Sequence, residues 1–213
     1  EDRNALLASM TDEVGLKVLA HNYDQTLAVS LQQAEGAGAL DAQQRFMQWL
    51  ESKGKLDRKV EGLPDDLRLA EMKTTGQALT RPELAVLTAY SKLELFDDIV
   101  ASKAPDDPFF KKTLVDYFPA PLAKYEADMQ RHRLRREIVA TRLANSLVNR
   151  GLEVFASELE DLTGAGLEDL AVGFVVARDA FGLLALGTEI ERLAPPVPAA
   201  LQLELLVAVR KVL

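Results

Sequence analysis

Apolar residues recur at helical spacing along almost the whole chain, and the alternation that a half-buried strand needs is scarce. Thr11 followed by Asp12 and Glu13 reads as a helix start, with acids where the helix dipole favours them. Val14, Val18, Leu19, Leu27 and Leu31 carry the pattern to about Glu35, where "EGAGAL" ends it. Asn4, Ala5, Leu6, Leu7 and Met10 already look helical, so a beginning at Glu1, without an initiator methionine, reads as a piece of a longer polypeptide.

Asp41 is expected to cap a helix holding Phe46, Met47, Trp49 and Leu50, closed by Gly54, and Pro64 with Asp65 and Asp66 opens another. In "TRPE", Thr80 and Glu83 form a capping box and Pro82 sits where its missing N–H is not needed. That predicts a helix from about Arg81 through Leu84, Leu87 and Leu95, bending or breaking near Ser91 and Lys92. Asp107 and Pro108 repeat the punctuation, and "FPAP" at 118 to 121 separates their helix from a long one containing "QRHRLRREIVATRLANSLVNRG".

Residues 152 to 162 make a short helix ended by "TGAG". "LEDLAVGFVVARDAFG" and "LLALGTEIERL" make two more, the flanking periodicity outvoting a strand at "VGFVV". "APPVPAA" is a stiff break before a last helix from about Ala199. The expected fold is all-α, a multi-helix bundle of about eight to ten helices in one domain over 1–213, with sub-bundles over 1–104 and 105–213.

Composition narrows the function classes. With 48% hydrophobic residues the chain can bury a substantial core. The 33 acidic residues outnumber 25 basic ones, for a net charge of −8, which argues against a dedicated nucleic-acid binder. Without cysteine there is no disulfide, thiolate metal site or cysteine nucleophile, which suits a reducing cytoplasm. No apolar run approaches the roughly 18 residues of a membrane span, and no signal-peptide pattern opens the chain, so a cytoplasmic location is expected.

Against that acidic background the arginines between 131 and 150 stand out. At about 100° per residue, Arg131, Arg135, Arg142 and Asn149 fall on one narrow polar stripe. Leu134, Ile138 and Val148 flank it on one side; Val139, Leu143 and Leu147 flank it on the other. A nucleic-acid helix shows a broad basic face, whereas a narrow stripe between apolar flanks suggests a central helix whose arginines pair with carboxylates of its neighbours. These four residues are therefore a structural or interface polar seam, with anion or nucleotide contact as the competing reading.

Other chemistry is thin. "EGAGALD" and "TGAGLED" put Asp41 and Asp169 where a dinucleotide fingerprint needs its third glycine, and they follow helices rather than strands. His21 and His132 lack the second histidine one turn on that a helical metal pair requires. "HNYDQ" at 21 to 25 reads as a solvated face or an inter-domain contact. Asp65 with Asp66 and Asp106 with Asp107 sit at helix starts, and Asp97 with Asp98 on an exposed face, where catalysis is not needed to explain them. No catalytic, cofactor-binding or metal residue is assigned.

Five segments together resemble one family: "RNALLASMTDEV", "LAHNYDQTLAVSL", "LTRPELAVLTAYSK", "DYFPAPL" and "HRLRREIVATRLANSLVNR". They look like the C-terminal helical region of the large bacterial NAD-specific glutamate dehydrogenases, over most of residues 3 to 150 and more loosely beyond. The resemblance implies a parent that converts L-glutamate, water and NAD to 2-oxoglutarate, ammonia and NADH. The family's substrate-binding lysines, catalytic aspartate and nucleotide-binding glycines belong upstream, so NAD is a cofactor of the parent and not of this segment. The implied partners are the upstream core and further copies in a homo-oligomer, not nucleic acid or membrane. The implied role is an accessory one: bracing, oligomer building or regulation. An effector site for an anionic metabolite at Arg131, Arg135 or Arg142 is a further reading. The alternative is a stand-alone helical interaction or nucleic-acid-binding module using the Arg131 to Arg150 basic helix.

Overall fold

The computed structural model describes residues 3–193, 196–210 and 212, so Glu1 and the first part of the "APPVPAA" break lie outside the described residues. Among the described residues the chain is 82% helical with no strand, and ten of its α-helices have seven residues or more. In order they are α1 (Arg3–Glu35), α2 (Leu40–Ser52), α3 (Arg58–Glu61), α4 (Asp66–Thr75), α5 (Arg81–Ala101) and α6 (Lys111–Tyr117). Then come α7 (Glu126–Met129), α8 (Arg135–Gly151), α9 (Phe155–Thr163), α10 (Leu167–Ala180), α11 (Leu183–Glu191) and α12 (Ala199–Arg210). The all-α expectation holds.

Local chemistry explains most boundaries. Glu83 accepts from the Thr80 backbone N–H at 2.6 Å and from its hydroxyl at 2.7 Å, fixing the start of α5. Asp65 caps α4 through the Arg68 N–H (2.8 Å), and Asp107 accepts from Phe109 N–H (2.8 Å) ahead of α6. Gly164 ends α9 with φ +69°, a left-handed conformation that glycine adopts without strain.

Four expected boundaries moved. Thr11 is inside α1 and its hydroxyl bonds back to the Leu7 carbonyl (3.0 Å), so the helix runs through it. Asp41 lies in the first turn of α2 rather than capping it, and pairs with Lys73. No break occurs at Ser91 or Lys92; Ser91 is buried and α5 is continuous. The long helix expected after "FPAP" is interrupted: a 3-10 turn over Ala120–Tyr125, α7 and the turn at 130–134 precede α8.

Two apolar cores meet along α5. The first joins Leu40, Met47 and Leu50 of α2 to Leu69 of α4 and to Leu84 and Leu87 of α5. The second joins Leu95 and Ile99 of α5 to Val139, Leu143 and Leu147 of α8, with Phe155, Ala171 and Phe174 behind them. α8 packs most extensively on α5, and its buried faces lie on both sides of the helix. The buried pair Gln32 and Thr88 ties α1 to α5, Gln32 Nε2 donating at 2.8 Å.

α1 also clamps the far side of the bundle. Lys17 Nζ donates to the carbonyls of Asp116 (3.1 Å) and Phe118 (2.9 Å), satisfying acceptors that the end of α6 leaves open. Glu13 accepts the Ala120 N–H at 2.8 Å, and that bond, with Lys17 beside it, holds its carboxyl below the usual carboxylate range. At the other end of the chain, Arg210 pairs with Glu35 and donates to the Gly151 carbonyl at 2.8 Å, seating α12 against α1 and α8. This arrangement places α1, α8, α10 and α11 around one cleft.

Candidate functional site

The structure divides the expected arginine seam into two parts. Arg131 lies in the turn ahead of α8, exposed, and pairs with Asp128 at 2.7 Å. It is therefore not on the same helix as the other three residues. The turn forms because His132 Nδ1 accepts the Leu134 N–H at 3.1 Å, a side chain diverting the backbone from helix. Arg135, in the first turn of α8, pairs with Asp106 Oδ1 at 2.6 Å, and Arg136 takes the other oxygen of the same carboxylate. Arg136 also donates to the carbonyls of Val100 (2.8 Å) and Ser102 (2.7 Å), answering the open acceptors at the end of α5. These cations fasten α8 to the end of α5 and to the turn that follows it.

Arg142 and Asn149 go elsewhere. With Asn145, Ser146 and Arg150 they form a polar stripe at i, i+3, i+4, i+7 and i+8 on α8, all lining one cavity of about 220 Å³. α1 closes it with His21 and Asp24, and α10 with Arg178. A second cavity of about 150 Å³ adjoins it, sharing Asp24, Asn149, Arg150 and Arg178 and continuing between α11 and α12.

The polar groups of the cleft are unevenly satisfied. Arg178 is held by Ser146 Oγ (2.6 Å) and by Asp179 (2.7 Å). Arg150 makes no hydrogen bond among the described residues, and its nearest carboxylate, Asp24, is 3.9 Å away. Burial holds the Arg150 guanidinium below its ordinary range; Asp24 offsets this, while Arg178 and Arg142 add to it. Asn149 is 6% exposed, and its buried Oδ1 has no partner. Arg142 is exposed and makes no hydrogen bond or ion pair among the described residues.

Two neighbours complete the electrostatics. Lys92 of α5, half-buried, is pushed down to about 8 by burial, with Asp24 pulling the other way. His21 accepts from Gln25 Nε2 (2.7 Å) and is lowered by burial first and by Lys92 second. The "HNYDQ" patch is thus part of a cleft wall rather than only a solvated face.

Sequence reasoning placed Arg142 and Asn149 together but missed Arg150, Arg178 and Asp24 as their companions. The i, i+3, i+4, i+7, i+8 polar set was a usable signal for Arg150; nothing local marks Arg178 or Asp24. Of the acids expected at helix starts, Asp66 lies in the first turn of α4 and is pulled down to about 2 by Arg58 and by Gln44. Asp106 differs from that expectation, since it serves Arg135 and Arg136 rather than a helix N-terminus. Among the described residues no group of three or more His, Cys, Asp or Glu side chains is placed to hold a metal ion. Nor is any single helix long and apolar enough to cross a membrane.

The family described as "Glutamate dehydrogenase, C-terminal" matches residues 76–213, which includes the stretch where the resemblance was looser. The chain is 45% identical over 207 residues to the NAD-specific glutamate dehydrogenase of Pseudomonas aeruginosa, covering 97% of this chain and 13% of that protein. To the enzyme of the same name from Halomonas elongata it is 42% identical over 214 residues, 100% of this chain and 13% of the relative. For the Mycobacterium tuberculosis enzyme the figures are 37% over 185 residues, 86% and 11%. The chain therefore spans about an eighth of the length of the relatives it matches.

Proposed function

Because the chain belongs to the glutamate dehydrogenase C-terminal family, we propose that it is the helical accessory domain of an NAD-dependent glutamate dehydrogenase. In this reading the parent polypeptide converts L-glutamate, water and NAD to 2-oxoglutarate, ammonia and NADH with residues outside this chain. The segment itself binds no NAD and carries out no step; its work is to brace the catalytic core from the C-terminal side. Assembly of the parent as a cytoplasmic homo-oligomer belongs to the same proposal.

The observation that carries the bracing role is the outer face of α1. Leu16 and Leu19 are each 66% exposed, about one turn apart on α1, and neither is among the residues that the helix buries. Apolar side chains aligned in this way mark a contact surface, and most of the parent's length is available to cover it.

Two measurements test the reading. The isolated chain should give strongly helical circular dichroism without NAD binding or glutamate turnover, and saturable NAD binding at micromolar levels would sink it. Carrying Leu16→Glu with Leu19→Glu into the full-length parent should disrupt its assembly and activity. The same pair in the isolated chain should change stability by no more than about 0.5 kcal/mol per site, because both side chains are exposed. An undisturbed parent would remove α1 as the docking face.

A further inference from the structure

The cleft between α1, α8 and α10 contains more cationic and unpaired polar groups than its architecture needs. One of its acids, Asp116, already holds a cation of its own in Lys112, and Arg178 is paired with Asp179, which lies outside the lining. That leaves Lys92, Arg142 and Arg150 answered by Asp24 and, farther along beside Tyr23, by Glu191. Structural pairs elsewhere in the molecule are tight: Arg58 grips Glu51 with two bonds of 2.8 Å. Arg150 has no such grip on Asp24 at 3.9 Å. A partly buried guanidinium with no hydrogen bond is unfavourable unless an acceptor completes it, whereas the unpartnered Asn149 Oδ1 asks for a donor. Both line the same two adjoining cavities of about 220 and 150 Å³, far more space than a single water requires.

We propose that this cleft is a binding site for a small anion with a carboxylate or phosphate head, held by Arg142 and Arg150 with the Asn149 Nδ2 amide as a neutral donor. Planar guanidinium groups suit both heads, because two parallel N–H donors match two anionic oxygens. Arg178, fixed by Ser146 and Asp179, lends positive field from the opposite wall without giving up its own bonds. Asp24 neutralises part of the charge from 3.9 Å without a hydrogen bond to the Arg150 guanidinium. Arg131 and Arg135, which already have carboxylate partners, have no part in the site. The inference does not depend on the dehydrogenase reading, since it rests on the cleft alone.

Calorimetry on the 213-residue chain at low salt tests it, with inorganic phosphate in one arm and succinate in the other. Saturable binding of at least one probe is expected, and which probe binds separates a phosphate head from a carboxylate. Arg142→Gln removes an exposed side chain without partners, so folding is unaffected, and affinity should fall about tenfold or more. Arg150→Gln should do the same, while Arg131→Gln, outside the cleft, should leave binding unchanged. No saturable binding of either probe overturns the proposal, and so does an equal loss in all three variants, which would report a general attraction to basic surface. If neither probe binds but Arg142→Gln and Arg150→Gln loosen the assembled parent, the cleft receives an acidic side chain of the parent, and the small-anion site is wrong.

Discussion

Gly151→Ala is expected to lower the stability of the chain by about 1–3 kcal/mol, despite alanine's better helix propensity of about 1 kcal/mol. A Cβ at this position would stand 2.4 Å from Phe155 Cδ1 and 2.8 Å from Cγ, far inside van der Waals contact. The ring cannot swing aside freely. Phe155 is buried in the second core, edge-on to Phe174 at 6.2 Å, and the Arg210 guanidinium lies over it at 5.8 Å. Arg210 in turn donates to the Gly151 carbonyl at 2.8 Å, so a shift of this backbone would also disturb the seat of α12. The clash acts on groups held from several sides, which is why it outweighs the propensity gain. Denaturant midpoints of Gly151→Ala, Phe155→Leu and the double variant check the argument. Phe155→Leu should relieve part of the Gly151→Ala penalty, and strictly additive effects would show that the ring is not what the methyl meets.

The helix inventory was legible because its punctuation is local. Thr80, Pro82 and Glu83 announce α5, and Asp107 with Pro108 announces the turn into α6, by bonds spanning three residues or fewer. The turn at 130–134 was not legible for an equally local reason. Neither glycine nor proline occurs there, and the break depends on His132 accepting a backbone N–H, a bond that helical periodicity does not register. Continuing the helix through Arg131 put that residue on a stripe it does not occupy. For the cleft, the stripe of α8 was readable as far as one helix can be read. Its opposite walls come from residues more than 100 positions away, Asp24, and from the next long helix, Arg178, and only packing brings them together. The same limit hid Glu153: nothing in "GLEVF" says that a glutamate there is 1% exposed.

That glutamate gives the other large expectation: Glu153→Gln should stabilise the chain by about 1–3 kcal/mol near neutral pH. Gln43 Nε2 donates to Glu153 Oε1 at 2.7 Å, while Gln43 Oε1 and Glu153 Oε2 are both buried and without partners. As a carboxylate, Glu153 can only accept, so the pair has one donor group too few. A proton on Oε2 supplies a donor, and burial pushes the carboxyl in that direction, well above its ordinary value of 4.5, with Gln43 opposing. The sign follows from linkage. A folded-state pKa above the unfolded one gives stability that is fully present below about pH 4.5 and lost as the pH rises through the folded pKa. Glutamine provides the missing donor at every pH, so Glu153→Gln and the parent sequence should be nearly equal in stability at acid pH and diverge towards neutrality. Glu153→Leu should instead destabilise, because it leaves the Gln43 amide buried with nothing to bond. Thermal midpoints across that range decide the point: a constant offset between Glu153→Gln and the unmodified chain would mean that Glu153 does not change its protonation on folding.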